Sequence, residues 1–322
     1  MSRLDISYSQ MKTWKRCRQK WHYRYVEGLR PIERIPKIDL GEYGHALLQA
    51  YYKGEDLEQA SQEYWQHKTK DMFFEQVEEF KETREMAEKL VQRYIDRYEQ
   101  EDNFAIYGVE EKVDANIPTP KGTRSHKRFN AVLDLIVEDD MGRIWLVDHK
   151  FTGRDLESYE EMLVLDEQAN GYLWALCSLL GGPVNGIMFN LIRTKLPTKP
   201  RLLKNGTLSK DKSIDTDVQT YLETIKEHNL NPDDYQDILE VVKERERPFF
   251  KRHRVERTPE EIKEIGKELY LSAQDIRQAR GHIFRNATHD CSWDCEFKEL
   301  CIMEKKRLDT ETYKKLNFLG SK

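Results

Sequence analysis

Two aspartates and a lysine on neighbouring apolar segments are the residues of this chain best placed to do chemistry. FNAVLDLIVE (129–138) and RIWLVDHKF (143–151) are β-rich runs separated by Asp139-Asp140-Met141-Gly142, a spacing that predicts a tight hairpin. A turn there places Asp134 opposite Asp148, with Cβ atoms roughly 4.5–5.5 Å apart. Two carboxylates facing each other on apolar strands repel and desolvate at considerable cost unless a cation lies between them. Oxygen ligands of this kind suit Mg²⁺ or Mn²⁺. Lys150 follows Asp148 by two residues, so it projects from the same face of the strand. Metal ligands with an ammonium beside them suit phosphodiester hydrolysis, in which a polarised water attacks and the lysine stabilises the developing charge.

An isolated Asp-x-Lys is very common and far more often ends a strand in a surface salt bridge, so the surrounding residues decide. Gln168 and Tyr172 are spaced i, i+4 in a helical stretch after the hairpin and share one helix face that can point back at the site. His45, after Gly44 early in another helix, can supply a nitrogen ligand to the same ion.

A second set of ligands lies at the two ends of the chain. Cys291, Cys295 and Cys301 fall within CSWDCEFKELC, and Cys17 lies near the start. Three clustered thiolates leave a tetrahedral centre one ligand short, and Cys17 is the obvious fourth. The fifth cysteine, Cys177, sits in YLWALCSLL and reads as a packed core thiol.

Several elements must position these residues. Ser7 or Ser9 can cap a helix running to about Tyr25, ended by Gly28 and Pro31. A second helix starts near Leu40-Gly41, and 56–100 reads as one or two amphipathic helices. Residues 105–117 look like a strand, followed by a loop and then the hairpin. A helix is expected over about 157–180, a strand over 186–194, and a polar surface loop over 195–212. Helical segments fill 213–245, a strand lies near 248–257, and a helix runs from Thr258-Pro259 to about Ala279. This order implies an α/β fold with a mixed central sheet flanked by helices. It divides the chain into an N-terminal helical region (1–104), a core sheet with its helix (105–194), and a C-terminal loop, helical insertion, final strand and cysteine region (195–322).

Composition sets outer bounds. At 322 residues with 38% hydrophobic and 11% aromatic content, the chain can bury a substantial core, which excludes global disorder. No apolar run approaches the ~20 residues that span a bilayer, and the N-terminal stretch has no apolar signal core. An intracellular, cytoplasmic setting follows, where clustered cysteines favour a metal over disulfides. The net charge is −5, but residues 1–38 carry +7. A second basic run, Lys251-Arg252-His253-Arg254 with Arg257, lies far downstream. Such local patches, rather than net charge, set contact with phosphates, although both also read as plain solvated faces.

The chain resembles the PD-(D/E)XK nucleases of the RecB-like group, and within them the iron–sulfur exonucleases that include Cas4 and the nuclease domain of AddB. The resemblance runs from SYSQMKTWKRCRQKWHYRYV to CSWDCEFKELC. GEYGHALL matches the family's Gly-x-x-x-His helix, NAVLDLI the strand of the first acidic ligand, and LVDHKFTG the (D/E)-x-K strand. QANGY matches its Gln-x-x-x-Tyr helix. The resemblance implies a restriction-endonuclease-like core with His45, Asp134 and Asp148 as metal ligands and Lys150 as catalytic lysine. Gln168 and Tyr172 would hold the lysine and DNA. It also implies that Cys17, Cys291, Cys295 and Cys301 ligate a [4Fe–4S] cluster stapling the two ends, with zinc as the alternative occupant. Three residues separate Cys291 from Cys295, where two are more usual in the family.

The function expected is a metal-dependent DNA exonuclease acting on single-stranded ends, in recombination, repair or replication. The other readings are a structure-specific endonuclease and a non-catalytic Fe–S or zinc module binding nucleic acid or a partner. No Walker-type G-x-x-x-x-G-K-[ST] is present, so any unwinding falls to a helicase or recombination partner.

Overall fold

The apolar runs come together as one mixed sheet, covered by helices on both faces. The computed structural model describes residues 3–31, 39–70, 72–182, 184–244, 248–279, 283–302 and, as backbone, 313–315. Arg34 and Lys37 of the basic N-terminal stretch, and 303–312 and 316–322 of the expected cysteine region, lie outside the described residues. Strand β1 (Leu4–Ser7) leads into helices α1 (Tyr8–Arg16) and α2 (Arg18–Trp21), a π-helical turn (His22–Val26) and β2 (Leu29–Pro31). Helices α3 (Leu40–Lys53), α4 (Leu57–Thr69) and α5 (Phe74–Tyr98) follow, then β3 (Ala105–Asn116), β4 (Lys127–Glu138) and β5 (Ile144–Thr152). Helices α6 (Leu156–Leu163) and α7 (Glu167–Leu180) lead to β6 (Gly186–Arg193). An excursion carrying α8 (Val218–Glu227) and α9 (Gln236–Glu244) precedes β7 (Phe250–Glu256) and α10 (Pro259–Gln278). The short α11 (Lys298–Ile302) and β8 (Tyr313–Lys315) close the chain, β8 pairing with β2.

Three sequence expectations change in detail. The helix expected from Ser7 to Tyr25 is capped by Ser7, whose Oγ accepts the Gln10 N–H, but it breaks at Cys17, an extended residue at φ −159°, ψ 116°. The helix expected over 157–180 is two helices, because Asp166 caps the second by accepting the Ala169 N–H. Strand β1 went unread: four residues are too few for alternation to show.

Both the parallel β1–β4 and β5–β6 pairs and the antiparallel β3–β4, β4–β5 and β6–β7 pairs belong to the six-stranded sheet. Along one edge β4 pairs with β3; along the other it pairs first with β1 (127–130) and then with β5 (135–138). Among the described residues, no strand covers that second edge at 131–134, so β5 forks away from β4 and continues beside β6. The faces also reverse here. Phe129, Ala131 and Leu133 pack with α7 and α10, whereas Leu135 and Val137, which strict alternation would keep on that face, pack under α3 and α5. In β3, Val113 and Ala115 join the first cluster and Val109 packs against the second. The reversal falls at Asp134 and at Glu110, which has a φ of +55°, a conformation costly for a side-chain-bearing residue and frequent at functional sites.

The hairpin register is fixed from its turn. Asp139 Oδ1 accepts the Met141 and Arg143 N–H groups at 3.1 and 2.9 Å, and its Oδ2 accepts from Arg143 Nε and Trp145 Nε1 at 2.8 and 3.0 Å. The rungs Glu138↔Ile144 through Leu135↔Val147 follow. Trp145, Phe129 and Phe189 are fully buried, each contributing roughly 1.5–3 kcal/mol, so the fork is held by the core around it.

Candidate active site

The cleft at the fork is lined by His45, Glu110, Asp134, Asp148, His149, Lys150, Gln168 and Tyr172, among others, and encloses about 630 Å³. The sequence-predicted site residues therefore converge from α3, β4, β5 and α7. The β4–β5 ladder ends one rung before Asp134 and Asp148. The two aspartates meet across the opening fork rather than as a closed cross-strand pair. The His149 N–H donates to the Asp134 carboxylate at 2.9 Å, where a continuing ladder would offer a backbone carbonyl.

Each functional side chain has a local reason for its place. Asp39 caps α3 through the N–H groups of Gly41 and Glu42. A Cβ on Gly44 would lie 2.1 Å from Phe151 Cζ, so only glycine lets α3 lie flat against β5 and bring His45 over the fork. His45 Nδ1 lies 3.5 Å from Asp134 Oδ2. Asp148 is 2.9 Å from Lys150 Nζ, which also lies 3.4 Å from Asp166. Lys150 donates to Gln168 Oε1 at 3.3 Å, and Gln168 Nε2 donates to the Tyr172 hydroxyl at 3.1 Å. The i, i+4 pair on α7 thus holds the lysine in a chain of hydrogen bonds.

Electrostatics mark the cleft as short of positive charge at one point. Burial, and then repulsion from Asp148, raises the Asp134 pKa well above the usual carboxylate range. Burial also raises that of Asp148, against the opposing pull of Lys150. Burial, aided by the Lys150 charge, lowers His45 to about 4, so its imidazole is neutral and free to ligate. Lys150 behaves oppositely: burial would lower its pKa, but Asp148 and Asp166 outweigh it and keep the ammonium charged.

Two residues were missed by sequence reasoning. Glu110 offers an oxygen within 4.8 Å of ligand atoms of His45 and Asp134, and burial raises its pKa. The ten residues between β3 and β4 leave their register unreadable, so nothing in the sequence set Glu110 beside Asp134. Asp166, the N-cap of α7, was hidden by reading α6 and α7 as one helix.

The second basic run is largely engaged within the protein: Arg252 is turned inward, Lys251 and His253 are partly exposed, and Arg254 is exposed. Lys251 and His253 pair with Glu160, Arg254 lies 5.2 Å from the Trp145 ring centroid, and Arg252 is held by Asp102.

Cys17, Cys291, Cys295 and Cys301 line a separate cavity of about 570 Å³, together with Arg16, Lys20, Arg285 and Lys298. The break at Cys17 turns it out of its helix towards this cavity. Burial, then the neighbouring thiols, raises the Cys301 pKa. Arg16 pairs with Asp294 at 2.7 Å and Arg24 with Glu296 at 3.0 Å, and the Tyr23 and Phe297 rings pack 5.5 Å apart. Cys177 is half-buried against the core, with its thiol pushed up to about 11 by burial.

No helix among the described residues is long and apolar enough to cross a membrane. No curated protein matches the chain. Among solved structures, it is similar to a protein from Eubacterium rectale that carries the provisional description of exonuclease, at 10% identity and a TM-score of 0.49. That match covers 94% of this chain and 90% of the other. It is also similar to SSO0001, at 11% identity and a TM-score of 0.32, over 91% of this chain and 94% of that one. The model of the PD-(D/E)XK nuclease superfamily matches residues 5–302, nearly the whole sequence. The forked sheet, its converging carboxylates and lysine, and this match agree: the chain belongs to the PD-(D/E)XK nuclease superfamily.

Proposed function

We propose that this nuclease is a metal-dependent DNA exonuclease of the RecB-like, Cas4 type, acting on single-stranded ends and carrying a structural [4Fe–4S] cluster. The observation behind the catalytic reading is the convergence of Asp134, Asp148 and Lys150 at the fork, with His45 above them. Carboxylate oxygens and one neutral imidazole fit Mg²⁺ or Mn²⁺. The buried, mutually repelling carboxylates are what such a cation would satisfy. His45, Asp134 and Asp148 would hold it, and Glu110, rather than Asp148, lies within 4.8 Å of the ligand atoms of His45 and Asp134. Such an ion supplies polarisation of a phosphoryl oxygen and a bound water of lowered pKa.

The chain's own residues supply the rest. Lys150, kept charged by Asp148 and Asp166, places an ammonium beside the scissile phosphate. Gln168 and Tyr172 fix its direction, and the His149 N–H orients Asp134. Asp148 is only 4% exposed, so a phosphate must enter deeply between α3 and α7. A flexible single strand does this more readily than a stiff duplex, and unwinding would fall to a helicase or recombination partner. In this reading 1–104 brings His45 and Cys17, 105–194 the carboxylates and lysine, and 195–322 the remaining thiolates.

Four thiols around one cavity support the cluster. Arg16, Lys20, Arg285 and Lys298 line the same cavity and would offset the negative charge of a thiolate cluster.

Digestion of 5′- and 3′-blocked single strands in Mg²⁺ and Mn²⁺ tests the proposal. Degradation from one blocked-sensitive end, lost in Asp148→Ala, is expected. Cutting of circular single strands would replace the exonuclease by an endonuclease. Binding of DNA without turnover in either ion would leave only an interaction module.

A further inference from the structure

Beneath the fork lies a closed ring of buried hydrogen bonds in which every proton can be assigned. Arg252 of β7 and Asn190 of β6 are neighbours in register. Arg252 Nε lies 2.9 Å from Asn190 Oδ1. An arginine only donates, so the Asn190 atom facing it must be the carbonyl oxygen, and the amide orientation is forced. Asn190 Nδ2 then donates twice, to the Tyr94 hydroxyl at 2.7 Å and to His149 Nδ1 at 3.1 Å. His149 Nδ1 is consequently an acceptor, and its proton sits on Nε2. Tyr94 Oη also receives Arg252 Nη2 at 2.9 Å, so its own proton goes to Tyr52 Oη at 2.6 Å. Tyr52 donates on to Asp102, whose carboxylate takes both Arg252 Nη groups and closes the ring.

His149 is the one member of this network that also belongs to the cleft. Its ring stacks on Tyr52, with centroids 5.7 Å apart and planes 17° apart. Its main-chain N–H holds Asp134, whose carboxylate lies 3.5 Å from His45 Nδ1, and its ring lies 5.9 Å from that of His45. A clamp on this side chain therefore sets the peptide between Asp148 and Lys150, to which Asp134 is tied directly and His45 through Asp134.

We propose that Arg252 and Asn190 are positioning residues. They lock His149 in its Nε2–H form, and the fixed His149 aims Asp134 and, through it, His45 at the cation. This rests on the reading of those two residues as metal ligands. It also explains why a basic residue in a run that suggests a phosphate contact is turned inward. Partners that orient ligands in this way typically change metal affinity 10–100-fold when removed.

The test combines ¹⁵N NMR of the His149 imidazole with Mn²⁺ titration by calorimetry on the full chain. Wild type is expected to show the Nε2–H form. Asn190→Asp, whose carboxylate accepts but cannot donate, is expected to switch it to Nδ1–H and weaken Mn²⁺ binding about 10–100-fold. Tyr94→Phe removes a hydroxyl of the ring but leaves Asn190 facing His149. It should lower the melting temperature yet keep Mn²⁺ affinity within about threefold. A wild-type Nδ1–H signal overturns the relay, as does an Asn190→Asp protein of unchanged Mn²⁺ affinity, and neither touches the nuclease reading. Wild type that binds no Mn²⁺ overturns the metal-ligand reading and the relay's role with it, whatever the tautomer.

Discussion

The fork and the cysteine cavity are held in opposite ways. At the fork, Asp134, Asp148 and Lys150 ride on strands whose neighbours Leu135, Trp145 and Val147 are buried, and the hairpin turn fixes their register before any ligand arrives. Around the cysteines the elements are short, a single 3₁₀ turn (His289–Ser292) and α11, with no buried residue in either. A small apolar cluster of Tyr23, Leu29 and Phe297 joins the ends there together with exposed ion pairs such as Arg16–Asp294, and such pairs contribute little. The first region is preorganised to receive an ion. The second would draw on the proposed cluster as part of its folding energy.

Removing Asp148 should separate chemistry from fold most strongly. Asp148→Asn is expected to lower nuclease turnover on the order of 10³-fold or more while shifting the melting temperature only slightly, since it removes the charge that repels Asp134 and leaves Lys150 its Asp166 partner. A large thermal destabilisation would show that the fork is not preorganised. Cys17→Ser is the converse. A loss of roughly 5–10 °C in melting temperature is expected, with Mn²⁺ affinity at the fork within about threefold. A Cys17→Ser variant that kept full stability and DNA binding without the proposed cluster would sink the staple.

Gly44→Ala probes how tightly the fork is packed. The added methyl meets the Phe151 ring, which should cost about 1–3 kcal/mol and weaken Mn²⁺ binding about tenfold by shifting His45. Unchanged affinity would mean that α3 has room to move.

Asp139→Asn should have the smallest effect and a distinctive pH dependence. Burial alone would raise the Asp139 carboxyl, but the Arg143 and Met141 N–H groups, the Trp145 indole and the Arg143 guanidinium bring it down to about 2. A carboxyl lower in the folded than in the unfolded state stabilises above its unfolded pKa of about 3.9 and loses that contribution as pH falls towards 2. Wild type should exceed Asp139→Asn by about 1–2 kcal/mol near neutrality, and the gap should close between about pH 4 and 2. A gap independent of pH would place the stabilisation elsewhere.

The hairpin and its aspartates were legible because a four-residue turn leaves little choice of register. The Gln168–Tyr172 face was legible because helical spacing is rigid. What escaped depended on contacts distant in sequence. The ten residues between β3 and β4 concealed Glu110. The break at Cys17 reflects a demand to face the cavity, which helical periodicity does not encode. The basic character of β7 suggested phosphate contact, whereas Glu160, Trp145 and Asp102 claim its side chains from the other elements. Family resemblance named His45, but only the Phe151 ring explains why glycine must precede it.

The excursion between Arg193 and Phe250 gathers its own small apolar nucleus around Tyr221, Tyr235 and Ile238. It is moored to α5 where Arg93 donates to Asp217 and Thr220. The entropy of spanning two adjoining strands grows only logarithmically with the length of the connection. Such a graft can diversify freely in size and surface while the catalytic floor stays untouched. Its footings lack that liberty, because Asn190 stands just before the departure and Arg252 just after the return.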